Sequence, residues 1–290
     1  MPEPEAKIGV IGGTGLYDIE GMMDLETVNV ITPFGPPSAS IGVGKLGGVG
    51  IAFLPRHGIG HHISPTEVPS QANIFALKSM GVEYIISINS CGSFKEELRP
   101  GHLLIPDQII DRTQKRQNTF FSDGIVAHIQ FADPFCPVLS HILFEAAKET
   151  GAIVHQGGTF ITMEGPAFST RAESRLYRAW GADIIGMTVL PEARLAREAE
   201  ICYASIACVT DYDSWHETIE TVTVETVLTT MRNNIEHAKE TIRLAAGNIP
   251  AERDCACASA LSSAIVTDPV VIPDEMKQKL DLLIGKYVNQ

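Results

Sequence analysis

Apolar residues occur along this chain in short unbroken runs, and most runs end in small or polar residues. The most apolar run, Ile201–Val209, is followed at once by Asp211 and Asp213. A run of this length, rich in apolar and β-branched residues, predicts a central strand that is buried on both faces. Residues two apart on a strand face the same way, so we expect an acidic pair at its carboxyl end. Alternatively, these carboxylates cap the next helix or bind a structural cation.

The same pattern predicts the other elements. Further buried strands are expected at Lys7–Ile11, Val49–Leu54, Val82–Ile88, Gly158–Met163 and Asp183–Ile185, with antiparallel strands and turns over residues 24–55. Apolar residues at helical spacing, together with start and stop signals, predict helices over Pro65–Gly81, Asp133–Gly151, Thr170–Gly181, from about Pro191, over Thr223–Gly247 and over Asp274–Tyr287. The polar residues 111–132 are expected to form a surface loop that reaches a neighbouring subunit.

Strands that alternate with helices predict an α/β fold with a central mixed β-sheet flanked by helices. The chain has 290 residues, of which 44% are hydrophobic and 20% charged, enough to bury a large core. We expect a single α/β domain over residues 1–247, followed by a C-terminal tail, residues 248–290, with a short helix. There is no apolar run of about 18 residues and no signal-peptide pattern, which favours a cytoplasmic protein.

The net charge of −13 argues against nucleic acid or an anionic membrane as a partner, because both require clustered cations. A small anionic substrate remains compatible with this charge if a few cations are held locally. Polar clusters follow the predicted strands, and one of them, Arg56 and His57, is such a candidate anion site. Taken alone, that pair fits a solvated loop equally well.

The six cysteines divide into two groups. Cys91, Cys136, Cys202 and Cys208 lie in apolar or strand contexts and are expected to be small core residues. The pair Cys255-Ala-Cys257 lies in a polar segment, where it could be a redox pair or half of a disulfide set. Two thiols are too few for a structural zinc site, and the histidines of Gly60-His61-His62 lack helical ligand spacing, so we expect no metal.

If the strands are mostly parallel, the polar clusters at their carboxyl ends meet in one cleft. The clusters are Thr14; Arg56 and His57; Asn89–Ser93; Glu164–Phe168; Met187 and Thr188; and Asp211 and Asp213. Together they offer cations and hydroxyls, an aromatic ring and two carboxylates. This combination predicts a ligand with a phosphate at one end and a heteroaromatic ring that donates hydrogen bonds at the other.

Over about Lys7 to Ala246 the sequence resembles the trimeric purine nucleoside phosphorylases, and within them those that act on 5'-methylthioadenosine. The resemblance rests on motifs in the same order: Ile11-Gly-Gly-Thr-Gly-Leu-Tyr17, Leu54-Pro-Arg-His-Gly58, Ala132-Asp-Pro-Phe-Cys-Pro137, Glu164-Gly-Pro166, Phe168-Ser-Thr-Arg-Ala-Glu-Ser174, Gly186-Met-Thr188 and Thr210-Asp-Tyr-Asp213. It implies a purine nucleoside phosphorylase-like fold and phosphorolysis, with inorganic phosphate as co-substrate and no cofactor. It also implies a homotrimer or a dimer of trimers.

The resemblance also implies the roles of individual residues. The phosphate-binding residues are Thr14, Arg56, His57, Ser90 and Thr188. The substrate-binding residues are Cys91, Gly92, Phe168, Met187, Val224, Val227 and Leu228, together with His128 from a neighbouring subunit. The catalytic residues are Asp211 and Asp213, which contact N7 and N6 of the purine. The C-x-C tail resembles that of thermophilic prokaryotic members, where it takes part in disulfide chemistry.

Two positions select the base. Relatives that act on 6-oxopurines have Asn at position 211 and Glu at position 169, whereas this chain has Asp211 and Ser169. Adenine donates from N6 and has no N1–H, so the resemblance favours a 6-aminopurine, with Val224 beside an apolar 5'-methylthio group. A broader enzyme that cleaves adenosine or 6-oxopurine nucleosides is the alternative, because Asn89-Ser90, Ala167 and Gly186 depart from the common pattern.

Overall fold

The computed structural model describes residues 6–13, 19–216 and 224–288. Eleven strands form one sheet. They are β1 (Ile8–Gly12), β2 (Met22–Val28), β3 (Ile41–Leu46), β4 (Val49–Pro55), β5 (Tyr84–Ser93), β6 (Leu103–Ile105), β7 (Gln108–Arg112), β8 (Val154–Gln156), β9 (Thr159–Met163), β10 (Ile184–Gly186) and β11 (Cys202–Tyr212). The helices are α1 (Ser70–Ser79), α2 (Pro137–Glu149), α3 (Arg171–Ala179), α4 (Val189–Glu198), α5 (Val224–Asn248), α6 (Asp274–Lys279) and α7 (Asp281–Val288).

Strand β5 organises the sheet. One of its edges pairs along the whole strand with the parallel strand β11, the long apolar run of the sequence. Its other edge pairs with β1 as far as Ser87 and then, from Gly92, with β10, which runs in the opposite direction. Between these partners, no described strand pairs with that edge over residues 88–91. The backbone of these residues is therefore available to other groups.

The predicted fold class is confirmed: parallel and antiparallel pairs coexist in one sheet with helices packed around it. The antiparallel strands expected over residues 24–55 are β2, β3 and β4. Strands β6, β7 and β8 were not predicted, because runs of three to five residues carry little pattern. Helix α2 begins at Pro137 rather than near Pro134, and the expected last helix is two helices separated at Leu280.

The segment expected to be a polar surface loop over residues 111–132 is partly interior. Phe120, Phe121 and Ile125 lie in the main hydrophobic cluster, so this prediction is wrong for the middle of the segment. The segment is also tied to the C-terminal residues, because Ala127 forms a β-bridge with Ile265. A loop with buried phenylalanines is held by apolar packing and presents only part of its length to solvent.

The C-terminal residues pack on the same core. Met276, Leu280 and Ile284 are buried in the hydrophobic cluster that contains α1 and α4. The Glu200 carboxylate accepts hydrogen bonds from the Tyr287 hydroxyl at 2.6 Å and from the backbone N–H of Leu261 at 3.0 Å. Among the described helices, none is both long and apolar enough to cross a membrane.

Candidate active site

Polar clusters predicted from the sequence do come together in the described residues, but not at one common edge of parallel strands. Strands β1, β4, β5 and β11 are parallel, so the segments that follow β1 and β4 leave the sheet at one edge. Strands β9 and β10 run the opposite way, and their carboxyl ends return toward the middle of β5. The expectation of one common parallel edge is therefore wrong. Among the described residues, the clusters of Arg56, Thr188 and Asp211 meet instead around residues 88–92 of β5.

Arg56 lies at the end of β4 and is buried, with 3% of its surface exposed. Its Nε donates to Oε1 of Glu192 at 2.5 Å, and its Nη2 donates to Oε2 of the same carboxylate at 3.1 Å. Its Nη1 donates to the backbone oxygen of Ile88 at 3.0 Å. Burial alone would lower the pKa of Arg56, but the Glu192 carboxylate outweighs it and raises that pKa. The guanidinium is thus permanently charged and fixed beside the open segment of β5.

The sequence reasoning did not single out Glu192. It lies in the first turn of α4 directly after Pro191, where an acidic residue is favoured by the helix dipole, so nothing in the local pattern marks it as an ion-pair partner. Its carboxylate also accepts hydrogen bonds from the Ser87 hydroxyl at 3.1 Å and the Tyr203 hydroxyl at 3.0 Å. The carboxylate therefore has a partner for each of its oxygens without any ligand.

His57 follows Arg56 and is a neutral imidazole at pH 7. Burial, followed by the neighbouring Arg56 charge, lowers its pKa to about 4. Its Nδ1 lies 2.8 Å from the backbone oxygen of Ile63, and because a carbonyl can only accept, Nδ1 carries the proton. Nε2 is then the ring's acceptor. The ring stacks on His61 with centroids 4.2 Å apart.

Thr188 and the middle of β5 form the next part of the site. The Thr188 hydroxyl donates to Oδ1 of Asn89 at 2.8 Å, and Nδ2 of Asn89 donates to the hydroxyls of Ser87 and Ser205, each at 2.9 Å. Ser90, the next residue, is exposed between buried neighbours. Thr188 is therefore oriented by a buried amide, and the Ser90 backbone lies beside it at the surface of the cleft.

Gly186 explains how β10 comes so near to Ser90. A Cβ atom on Gly186 would stand 2.7 Å from the Phe160 ring and 3.3 Å from the Ser90 carbonyl oxygen. Any larger residue here would push β10 away from β5. Gly186 differs from the residue that is common at this position in the family that the sequence resembles, and it allows the close approach of the two strands.

Arg116 is a site residue that the sequence reasoning missed. Its Nη1 donates to the backbone oxygens of Met187 and, at 2.7 Å, of Leu190, while its Nη2 donates to the Glu164 backbone oxygen at 2.7 Å. One side chain thus joins the segments after β9 and β10. Met187 also packs against Gly165, where a Cβ atom would stand 2.6 Å from its sulfur.

Asp211 and Asp213 lie at the end of β11, with only 9% and 4% of their surfaces exposed. The Thr210 hydroxyl donates to Oδ2 of Asp211 at 2.7 Å and also approaches the Cys91 backbone oxygen at 3.1 Å. Within the described residues, Oδ2 of Asp213 has no hydrogen-bond partner. The pair thus presents a carboxylate oxygen that is buried and unsatisfied, the arrangement expected of a ligand site.

Burial, assisted by the nearby Asp213 charge, raises the pKa of Asp211 to about 6. Burial also raises the pKa of Asp213. Burial is the larger of the two causes for Asp211. A carboxyl group with this pKa can hold a proton near neutral pH and give it to a ligand.

Glycine 92 keeps the space in front of the two carboxylates open. It pairs with Asp211 across a bulge between Val209 and Asp211, and a Cβ atom on it would stand 2.9 Å from Oδ1 of Asp211 and 3.1 Å from Cβ of Asp213. Cys91, its neighbour, is buried, and burial raises the pKa of its thiol well above the usual value. The Cys91 thiol is thus protonated, which agrees with the structural role expected for it.

Two other predicted residues lie nearer the surface. Phe168 is 44% exposed, although an aromatic side chain is usually more buried. Ser169 is buried, and its backbone oxygen accepts a hydrogen bond at 2.9 Å from the hydroxyl of Ser214, the residue after Asp213. The segment after β9 is therefore attached to the end of β11, and Phe168 stands at its exposed rim.

The remaining predicted residues are less well defined. Thr14 lies outside the described residues, and Val224, Val227 and Leu228 are on α5, with side chains outside the description. His128 is exposed, and its backbone N–H donates to the Ala264 carbonyl at 2.8 Å. In the described part of the chain, a cluster of metal-binding side chains occurs at the opposite end of β11 and consists of cysteines.

Comparisons with known proteins show the family to which the chain is similar. The family model described as the phosphorylase superfamily matches residues 7–245. An S-methyl-5'-thioadenosine phosphorylase from Geobacter sulfurreducens is 57% identical over 285 residues, covering 98% of this chain and 100% of its own. A crystal structure of a methylthioadenosine phosphorylase from an antarctic soil metagenomic library is 44% identical, with a TM-score of 0.92, and covers 96% of this chain and 99% of its own.

A further similar structure is a point mutant of the adenosine/methylthioadenosine phosphorylase from Schistosoma mansoni, crystallised in complex with methylthioadenosine. It is 36% identical to this chain with a TM-score of 0.80. The match covers 97% of this chain and 98% of that one. The relatives are therefore similar over essentially their whole length, including the strands that carry the clusters described above.

Proposed function

This chain belongs to the phosphorylase superfamily, and on that premise we propose that it converts 5'-methylthioadenosine and inorganic phosphate into adenine and 5-methylthioribose 1-phosphate. One observation carries the proposal: the buried pair Asp211 and Asp213 lies at the end of β11 beside β5, with a raised pKa for Asp211 and a carboxylate oxygen of Asp213 that has no partner among the described residues. In the reaction, a phosphate oxygen bonds to C1' of the ribose. The C1'–N9 bond breaks, and its electron pair leaves with the base.

We assign phosphate to the cleft formed by residues 88–91, Thr188 and His57. No described strand pairs with the other edge of β5 there, the Thr188 hydroxyl is held by Asn89, and the Arg56 guanidinium is fixed at the Ile88 carbonyl. Because Glu192 compensates the charge of Arg56, Arg56 contributes to phosphate binding mainly through the one remaining N–H of Nη1. Thr14, which lies outside the described residues, completes the site in this proposal; it follows β1 in the sequence and stands between glycines.

We assign the purine to the acidic end of β11. Asp211 donates a proton to N7 as the glycosidic bond breaks, which neutralises the electron pair that moves to the base. With a pKa of about 6, roughly one Asp211 in ten is protonated at pH 7 in the ligand-free protein. Asp213 accepts a hydrogen bond from the 6-amino group through Oδ2, which satisfies an otherwise unpaired oxygen.

The sugar lies between these two regions. Met187, fixed by Arg116 and packed on Gly165, is placed against the ribose, and Phe168 covers the base from the rim. Val224, Val227 and Leu228 of α5 are proposed to receive the 5'-methylthio group. An apolar surface favours a thioether over a hydroxyl, because a buried hydroxyl without a partner is costly.

We further propose that the working form is a homotrimer and that His128 completes the site of a neighbouring subunit. His128 is exposed while its backbone is fixed to Ala264, so the side chain is presented outward from an anchored segment. The exposed ring of Phe168 is the kind of apolar surface that a neighbouring subunit would cover. The test is the mass in solution, together with the effect of His128→Ala on KM.

The deciding experiment is an assay of adenine release from 5'-methylthioadenosine with and without phosphate. Phosphate-dependent release, with 5'-methylthioadenosine preferred over adenosine and inosine, is the expected result. Release without phosphate would indicate a hydrolase instead, and faster cleavage of inosine would indicate a 6-oxopurine phosphorylase. Binding of the nucleoside without any cleavage would contradict the proposal and favour a sensor.

A further inference from the structure

Four of the six cysteines lie together, far from the site described above. The sulfur atoms of Cys136, Cys202, Cys255 and Cys257 are all within 4.8 Å of one another, and those of Cys202 and Cys255 are 3.2 Å apart. All four are unbonded thiols. From the sequence, Cys136 and Cys202 were expected to be core residues, separate from the C-x-C pair. The expectation that only two thiols are available is therefore wrong.

The cluster joins three parts of the fold. Cys202 begins β11, Cys136 directly precedes α2, and Cys255 and Cys257 lie at the 3₁₀ turn Ala256–Ser259 of the C-terminal segment. The backbone N–H of Cys136 donates to the Tyr203 carbonyl at 2.8 Å, which holds the start of α2 against β11. The sulfur positions are thus set by elements that are themselves fixed by the sheet.

We propose that these four cysteines form a binding site for one zinc ion. A tetrahedral zinc ion bonded to four thiolates at about 2.3 Å holds its sulfurs about 3.8 Å apart. This is compatible with four sulfurs that all lie within 4.8 Å of one another, with those of Cys202 and Cys255 3.2 Å apart. Small thiolate sites with two ligands from a C-x-C turn and two from elsewhere suit a soft divalent cation. Oxygen-binding cations such as magnesium or calcium do not suit four sulfurs.

The surroundings fit a closed structural site. Cys136, Cys202 and Cys257 are buried, and Cys255 is half-buried, so it gives the ion a path of entry. Binding converts four thiols into thiolates and releases four protons to solvent, which leaves a net charge of minus two. Arg197 lies close enough to interact electrostatically with Cys257 and offsets part of that charge. Four protein ligands leave no open position, so the ion would not take part in catalysis.

The location also separates this site from the proposed chemistry. Cys202 and Asp211 are nine residues apart on one extended strand, a distance of about 30 Å. Zinc would cross-link the C-terminal segment to the body of the fold. Its removal should lower the unfolding temperature and leave kcat unchanged at temperatures where the protein stays folded.

The test is zinc analysis of the purified full-length protein, handled with a phosphine reductant and then dialysed against zinc. We expect one zinc ion per chain, and with cobalt as the probe we expect the thiolate charge-transfer and ligand-field absorption of a tetrahedral sulfur site. Cys257→Ser should lower zinc affinity by more than about 100-fold. Cys208→Ser, a change at another buried cysteine of β11 outside the cluster, should leave it unchanged.

Wild-type protein purified without reductant also decides the question, should Cys257→Ser fail to fold. Six titratable thiols after denaturation in a zinc chelator, together with one zinc ion beforehand, support the proposal. Fewer than six thiols with no zinc would mean that disulfides occupy the cluster, and six thiols that take up no zinc would mean that it is only a packed group. Either of those results overturns the proposal.

Discussion

Two regions of the site bury charge in opposite ways. At the end of β4, Arg56 and Glu192 form an ion pair in which both side chains also have further hydrogen-bond partners. At the end of β11, Asp211 and Asp213 bring two like charges together, and one oxygen has no partner among the described residues. The first region is complete without a ligand. The second is not, so a proton or a ligand has to complete it.

This difference indicates which region changes state during a reaction. An ion pair whose charges compensate each other holds its geometry over a wide pH range, which suits it to positioning. A carboxyl group whose pKa is raised to about 6 gains or loses a proton near neutral pH, which suits it to acid catalysis. The comparison can be tested by removing one charge at a time from each region.

The largest expected effect is on catalysis, from Asp211→Asn. The change keeps the shape of the side chain but removes the acid, so kcat/KM for 5'-methylthioadenosine should fall by about 100- to 10,000-fold. Steady-state kinetics measure this. Glu198→Gln is the control, because Glu198 is also a buried carboxyl with a raised pKa, about 7, but lies outside the site. Equal activity of Asp211→Asn and the unaltered enzyme would remove Asp211 from the mechanism.

The next largest expected effect is a loss of stability in Glu192→Gln, which removes the negative charge of the ion pair at the end of β4. Removal of one charge leaves Arg56 buried and uncompensated, which should lower the free energy of unfolding by about 3–5 kcal/mol. Urea unfolding followed by circular dichroism measures it, with Glu198→Gln on the same helix as the matched control. Phosphate should stabilise this variant more than it stabilises the unaltered protein, because it replaces the missing negative charge.

The third effect should have the opposite sign. Asp211 has a pKa of about 6 in the folded protein against an ordinary value of 3.8, so its ionisation costs stability at pH values above 6. Asp211→Asn should therefore raise the free energy of unfolding at pH 8 by about 3 kcal/mol at most. The gain should shrink as the pH falls through 6 and be absent below 3.8. Urea unfolding at pH 8 and at pH 3.5 would test this, and a pH-independent gain would point to another cause.

The smallest expected effect is a proton uptake at His57. Its pKa of about 4 leaves Nε2 unprotonated in the ligand-free protein, and a bound phosphate dianion should raise that pKa. At pH 6 free phosphate is mainly the monoanion, so binding of the dianion releases a proton, and uptake by His57 should reduce that release by a fraction of a proton per site. Calorimetric titration in buffers of different ionisation enthalpy measures the net release. His57→Gln, which retains a hydrogen-bonding side chain but cannot titrate, should release more protons than the unaltered protein.

The longer strands and helices could be predicted from the sequence. The run before Asp211 is long, apolar and rich in β-branched residues, and such a run has few alternatives to a buried strand. The capping box at Thr170 and Glu173 is equally explicit, since both of its reciprocal hydrogen bonds are present. Local patterns of this strength identify the elements without any knowledge of their neighbours.

Other features depend on contacts between distant residues and could not be predicted. The antiparallel direction of β9 and β10 relative to β5 could not be predicted, because strand direction depends on how the connecting segments pack. Glu192 has the local context of an ordinary helix-start residue, and only the folded chain places it on Arg56. The cysteine cluster combines residues from three separate segments, so their spacing along the chain contains no metal-binding motif.

The bulge between Val209 and Asp211 has a consequence for how this site could be altered. Upstream of it, odd-numbered and even-numbered residues of β11 alternate between the two hydrophobic clusters, and the extra residue Thr210 interrupts that alternation. Asp211 lies opposite Gly92 in the ladder with β5, so deletion of this single threonine would restore a regular ladder and keep both acids on the same face, while removing the hydroxyl that donates to Oδ2 of Asp211. The acidity of Asp211 could thus be altered by one codon without a change in the register of the sheet.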